Sequence, residues 1–347
     1  PLVGLRIAAA TAAAVASHHL VEMPVRERAA EGRLPALRLA GAMPITMAAL
    51  LIAALSSSAL GERPEPAGFT DEDLVAMAEA PPPTVPDAVD GVVVDGVTED
   101  PATSEPPVRA LMVGDSVAAT LGFGFGSVNL DPGLLGGYID PDLDFDGLTD
   151  EIVVWNRGIL GCRLFAEPSR DANRGVEPQN NRCPDPITDW ASAVAEFDPE
   201  VVVVSVGAWE VFDRRFDGRW TRWGSGDFDR RFRQRLTEVI DSVTGQGARV
   251  VLLTAPLPNR DPSQPGQAAS QTEPERYVHL NELFTEVADE RPDTTVIDLA
   301  GGLCAEGRCG KSDYLRYDGL HFSAAGALQV ARWLTPQLTE LVRGEQA

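Results

Sequence analysis

From Arg109 onward, five short β-branched or apolar runs alternate with longer amphipathic stretches, and this alternation limits the fold more than any other feature of the chain. The runs are Ala110–Val113, Ile152–Trp155, Val201–Val206, Arg249–Thr254 and Thr295–Leu299. Apolar runs without polar alternation suit strands covered on both faces, as in parallel sheets. Between and after them, Val117–Gly126, Ile187–Phe197, Phe228–Thr244, Glu273–Glu290 and Ser323–Arg343 carry helical patterning. Strand-then-helix repetition predicts an α/β domain over residues 108–347, a three-layer α/β/α stack around a five-stranded parallel sheet. Ligands of such sheets bind at the carboxyl ends of the strands, so the residues after each strand are the ones to read for chemistry.

The first strand runs into Gly114-Asp115-Ser116 and then directly into a helix. A serine at a helix start sits among free backbone N–H groups that favour negative charge, but it is a weak nucleophile without a base. Asp115 or Ser116 could equally do no more than cap the helix. The other end of the chain bears on that choice. Tyr317-Asp318-Gly319-Leu320-His321 precedes the last helix, with spacing that lets Asp318 orient the His321 imidazole while its other nitrogen faces a serine. Of the four histidines, His18 and His19 lie in an N-terminal apolar run, and His279 falls in a predicted helix with no acidic loop around it. His321 is the well-placed base.

Gly114-Asp115-Ser116 and Asp318-x-x-His321 resemble the first and last sequence blocks of the SGNH, or GDSL, hydrolase family, with its flavodoxin-like strand order. The resemblance implies that Asn156-Arg157-Gly158, after the second strand, supplies the Gly158 N–H to an oxyanion hole. Gly207-Ala208-Trp209-Glu210 follows the third strand, where the family pattern is Gly-x-Asn-Asp, so Trp209 stands where asparagine would donate. A lost donor costs a few kcal/mol in such holes. Either the Trp209 indole or the Asn156 amide is expected to fill the gap, Trp209 otherwise lining the acyl or sugar pocket or turning into the core.

Residues 1–60 are of another kind. Leu39–Leu55 is uncharged, with uncharged residues on to Leu60, about the length of a membrane-crossing helix. Ile7–Val21 is a weaker apolar run, and Arg26, Arg28, Arg33 and Arg38 lie between the two. By the positive-inside rule residues 26–38 form a cytoplasmic loop, 39–60 a span, and the domain lies outside. A secretory signal over 39–59 is the rival reading, with the same placement of the domain. His18-His19-Leu20-Val21-Glu22-Met23-Pro24-Val25-Arg26 resembles the end of the last bundle helix of the membrane acyltransferase-3 family, some members of which carry a span, a linker and an SGNH domain. That likeness makes residues 1–25 the end of a bundle otherwise absent from the chain. Residues 61–107, acidic and rich in proline, read as a linker unable to fold alone.

A net charge of −23, from 29 basic and 52 acidic residues, argues against nucleic acid as a partner. Cys162 with Cys183 and Cys304 with Cys309 lack zinc-site spacing and fit two loop-closing disulfides in an oxidising compartment, the alternative being reduced thiols. Asp142, Asp144, Asp146 and Asp150 have calcium-loop spacing, but Val153 occupies the position of the bidentate glutamate, and a solvated acidic turn explains them as well. Arg214, Arg215, Arg219, Trp220, Arg222 and Trp223 read either as an acceptor-binding lip or as a loop packing its tryptophans on the domain. Ala255–Ser270, rich in proline and glycine, reads as a mobile loop bordering the pocket.

The expectation is therefore a serine-dependent O-acyltransferase, anchored in the cell membrane with its catalytic domain outside the cytoplasm and a cell-envelope polysaccharide as acceptor. It needs no cofactor beyond the delivered acyl donor, with Ca2+ as the one candidate ion. A tethered carbohydrate or lipid esterase would use the same residues. A catalytically inactive carbohydrate-binding module is the reading from a different class, for which Trp209 speaks and the intact Ser, His and Asp set does not.

Overall fold

The computed structural model describes residues 75, 79–85, 105–126, 148–171, 175–178, 182–258, 269–302, 315–316 and 318–344. The chain divides into two compact units, Pro1–Pro64 and Glu65–Ala347, and every described residue belongs to the second. Among the described residues no helix is long and apolar enough to cross a membrane. The expected bundle helix, cytoplasmic loop and span lie outside the described residues.

The domain begins with strand β1 (Val108–Gly114), helix α1 (Ser116–Gly122) and strand β2 (Ile152–Gly158). Two short strands follow, β3 (Ser169–Asp171) and β4 (Gly175–Glu177), then α2 (Pro186–Phe197) and β5 (Val201–Ser205). A hairpin of β6 (Asp213–Phe216) and β7 (Arg219–Thr221) precedes α3 (Gly226–Thr244). Strand β8 (Arg249–Leu253), α4 (Pro274–Asp289), β9 (Thr294–Ile297) and α5 (Ala324–Arg343) complete the order.

Strands β2-β1-β5-β8-β9 form one sheet, every pair parallel. Side chains alternate across it as the pleat requires. Leu111, Val113, Val202, Val204, Val250 and Leu252 enter the core beneath α2, α3 and α4. Ala110, Met112, Val201, Val203, Val251 and Leu253 enter the opposite core, with α1 and α5. This is the expected three-layer stack, in the expected strand order. The starts of α1, α2, α3 and α5 are capped by side chains: Asp115, Asp185, Ser225 and Ser323 each accept from a first-turn N–H.

Two features depart from the sequence reading. A second, antiparallel sheet, β4-β3-β6-β7, grows from the connections after β2 and β5. Its strands of three or four residues are mostly polar, too short for a periodic signal. The sequence mark was Asp217-Gly218, both at positive φ (50° and 77°), the two-residue turn that matches strand twist. The acidic linker is also not wholly detached: Trp155 Nε1 donates to the Ala80 carbonyl at 3.0 Å, and Val85 packs on the core. An indole left at the sheet edge gains an acceptor from Ala80 in this proline-rich segment.

Cys162 and Cys183 are bridged, closing a loop with a sequence separation of 21. Cys304 and Cys309 lie outside the described residues, as do Asp142, Asp144 and Asp146; Asp150 is exposed on a single helical turn at Leu148–Glu151. Loop-closure entropy for a loop of this size makes the bridge worth about 3 kcal/mol. Cys162→Ser should therefore lower the melting temperature by several degrees in non-reducing buffer and by nothing further when reductant is added. A melting temperature equal to that of the unreduced parent would contradict this.

Candidate active site

The site is built at the carboxyl edge of the sheet, where β1 ends. Gly114 has φ of 142°, and a Cβ there would lie 1.9 Å from the Ser205 carbonyl oxygen, so only glycine lets β1 turn into α1 beside β5. Asp115 N–H donates to that same carbonyl. Ser116 follows as the first residue of α1, and its N–H has no acceptor among the described residues.

The structure brings Ser116, His321 and Asp318 together across most of the domain. Ser116 Oγ lies 2.7 Å from His321 Nε2, and His321 Nδ1 lies 2.6 Å from Asp318 Oδ2. An ionised carboxylate only accepts, so it assigns the imidazole proton to Nδ1 and leaves Nε2 to accept from the serine hydroxyl. Burial pushes the Asp318 carboxyl up, but the His321 hydrogen bond and the Leu320 and His321 N–H groups outweigh it and hold the carboxyl below its usual range. The turn is fixed to the nucleophile's helix: Phe322 N–H donates to Thr120 Oγ1, which donates in turn to the Ser116 carbonyl. Ser323 caps α5 directly after it.

The residues expected to complete an oxyanion hole are placed otherwise. Asn156 is buried, its Nδ2 donating to the Ala119 carbonyl at 2.7 Å and its Oδ1 accepting from the Gly158 N–H at 3.2 Å. The amide thus joins β2 to α1, and the Gly158 N–H is spent on it. A Cβ on Gly158 would meet the Ala119 backbone at 2.2 Å, so that glycine serves the packing of α1. The Gly158 N–H and one of the two Asn156 amide N–H groups are thus already engaged. Gly161, which the sequence reading passed over, sits at φ 71° in the turn that Cys162 N–H closes on the Ile159 carbonyl. Its N–H has no acceptor among the described residues.

Trp209 is half-buried between two partners, stacked on Phe212 at 5.7 Å and covered by the Arg163 guanidinium at 4.9 Å. Its neighbour Glu210 is buried and accepts from the Leu164 N–H and from Arg214, a side chain with no exposed surface. Arg214 also donates to the Trp209 and Glu167 carbonyls. The pair clamps the loop after β5 to the loop after β2. Arg214 thus belongs to the interior, not to an exposed lip, and so in large part does Trp223, whose indole donates to the Glu210 carbonyl. His279 has acidic neighbours after all, lying 3.1 Å from Asp229 and 3.5 Å from Glu282.

Asp115, one residue before Ser116, carries its carboxyl in the interior. Burial raises its carboxyl to about 6, against the Val117 N–H, which pulls it down. The folded state therefore binds this proton more tightly than the unfolded chain does. Its ionisation costs stability above about pH 6, and the cost disappears below the ordinary carboxylate range, a difference of about 3 kcal/mol. Asp115→Asn keeps an oxygen for Val117 and removes the charge. Its melting temperature relative to the parent should be higher at about pH 8 than at about pH 4; an offset independent of pH would contradict the assignment.

The model of the GDSL-like Lipase/Acylhydrolase family matches residues 112–328. No curated protein matches the chain. Solved structures similar to it include an acetyl xylan esterase, AlAXEase, 19% identical over 67% of this chain and all of that one, with a TM-score of 0.41. A catalytic mutant of an acetylxylan esterase from Geobacillus stearothermophilus is 17% identical over 65% of this chain and 92% of that one, TM-score 0.39. A peptidoglycan O-acetylesterase is 19% identical over 56% and 49%, TM-score 0.35. The match covers most of the chain, from within β1 to within α5, and takes in Ser116, Asp318 and His321: the chain belongs to the GDSL-like Lipase/Acylhydrolase family.

Proposed function

We propose that this chain moves O-acyl groups through an acyl-serine formed at Ser116. The observation that carries the reading is the hydrogen-bonded series from Ser116 Oγ through His321 to Asp318. As Oγ attacks an ester carbonyl carbon, its proton passes to His321 Nε2, and Asp318 balances the imidazolium. The carbonyl oxygen takes the negative charge, facing the Ser116 N–H at the start of α1, with the Gly161 N–H as the second donor in place of Gly158. The alkoxide then leaves with the proton from Nε2. An acceptor hydroxyl gives its proton to the same nitrogen and attacks the acyl carbon; the bond to Ser116 Oγ then breaks and Oγ takes that proton back from Nε2.

The acceptor decides between two enzymes with one mechanism. A sugar hydroxyl of a cell-envelope polysaccharide makes the chain an O-acyltransferase, probed most simply as an acetyltransferase. That reading is supported by the likeness of residues 18–26 to the end of a membrane acyltransferase bundle, which would hand over the acyl group and hold the domain outside the cytoplasm. Water as acceptor makes it an esterase, the reading favoured by the family's acylhydrolase description. Neither needs a metal or organic cofactor, and the acidic net charge of −23 suits no nucleic-acid partner.

Ser116→Ala should lower kcat on a chromogenic acetyl ester by about ten-thousandfold or more while leaving the melting temperature close to the parent's. His321→Ala should be nearly as severe, and Asp318→Asn should leave a measurable remnant. Retention of most activity in Ser116→Ala would remove the mechanism. Supplying oligosaccharides with the ester and weighing the products separates the two enzymes: acylated sugar means transfer, and free acid alone means hydrolysis.

A further inference from the structure

A groove of about 580 Å³ runs along β7, the outer strand of the small sheet, bordered by Phe216, Arg219, Trp220, Arg222, Asp227 and Arg231. Its charge runs against that of the whole chain. Both aspartates of the groove are already paired, Asp217 with Arg231 at 2.7 Å and Asp227 with Arg230 and, at 3.4 Å, Arg231. Arg219 and Arg222 are exposed and enter no ion pair among the described residues. In a chain of net charge −23, two guanidinium groups left without a counter-charge in one groove ask for an anion from outside.

The aromatic part is equally fixed. The Arg170 guanidinium lies 4.6 Å from the centre of the Trp220 ring and is itself held 3.0 Å from Asp213. Trp220 is thus braced from the sheet, not loose on a loop. The tight Asp217-Gly218 turn sets Arg219 directly after it, paired in register with Phe216. A flat ring beside two planar, permanently charged forks is a surface for a sugar ring that carries a carboxylate. The segment bearing it leaves the carboxyl end of β5, the edge at which Ser116 stands, and Glu210 and Arg214 fasten its first part.

We propose that this groove is a subsite for an acidic glycan, with Trp220 against a pyranose face and Arg219 and Arg222 on the carboxylate of a uronic acid residue. It deepens the acyl-transfer reading by naming the class of polymer brought to Ser116, and rests on that reading for the link to catalysis.

The test is calorimetric titration of the full chain with tetragalacturonate and, separately, with the neutral cellotetraose. Tetragalacturonate should bind, and cellotetraose should bind about tenfold more weakly or not at all. The Arg219→Ala/Arg222→Ala double variant and Trp220→Ala should each weaken tetragalacturonate binding about tenfold or more, with Trp220→Phe restoring most of it. In all three variants, turnover of a small acetyl ester should match the parent's, which also shows that they fold. Absence of tetragalacturonate binding, equal affinity for the neutral sugar, or variants that bind as the parent does would overturn the proposal. Binding with the expected pattern in a chain without ester turnover would leave the subsite standing and count against the acyl-serine reading alone.

Discussion

The site depends on one close passage of backbone. Where β1 ends, Gly114 runs against the Ser205 carbonyl at a separation that excludes any side chain, and the Asp115 N–H bonds that same oxygen. This contact fixes the first residue of α1 over the carboxyl edge of the sheet. Ser116 therefore reaches His321 from a position set by two central strands, not by a loop. The last turn is matched to it through Thr120, so Ser116 and His321 are referred to the same short helix.

Around this frame the interior accepts large electrostatic costs. Asp115 is fully desolvated one residue before the nucleophile, and Glu210 and Arg214 form an ion pair with almost no exposed surface. A buried pair of this kind gains little net stability over apolar packing, yet losing one partner costs several kcal/mol, because the other is left charged in the core. Its role here is geometric. Glu210 holds the Leu164 N–H and Arg214 holds the Trp209 and Glu167 carbonyls, so the loops after β2 and β5 are fastened to each other.

The main sheet was legible because its strands are buried on both faces: Val201–Ser205 is five consecutive buried residues and reads as a strand without any pattern. Ser116, Asp318 and His321 were legible because few histidines exist and their spacing carries a mechanism. The small sheet was not, since strands such as Arg219–Thr221 are too short and polar for a periodic signal, and β3 finds its partner β6 only across α2 and β5. Arg214 misled for a related reason. In Asp213-Arg214-Arg215-Phe216 the pleat turns Arg214 inward and Arg215 outward, and only the Glu210 partner, four residues earlier, makes the buried position tolerable. For Asn156 and Gly158 a motif gives residue types and not the direction of an amide, and the structure places their bonds elsewhere than the resemblance implies. Bonded to Ala119 and to each other, they hold the helix that carries the serine.

Under the proposed function the Ser116 hydroxyl, 2.7 Å from His321 Nε2, is activated only in the presence of that imidazole. The most direct measurement is reaction of the folded chain with a fluorophosphonate, followed by intact mass and peptide mapping. The account predicts a single adduct on Ser116, formed far more slowly in His321→Ala and not at all in Ser116→Ala. An adduct at another residue, or a parent chain that stays unlabelled while folded, would contradict it.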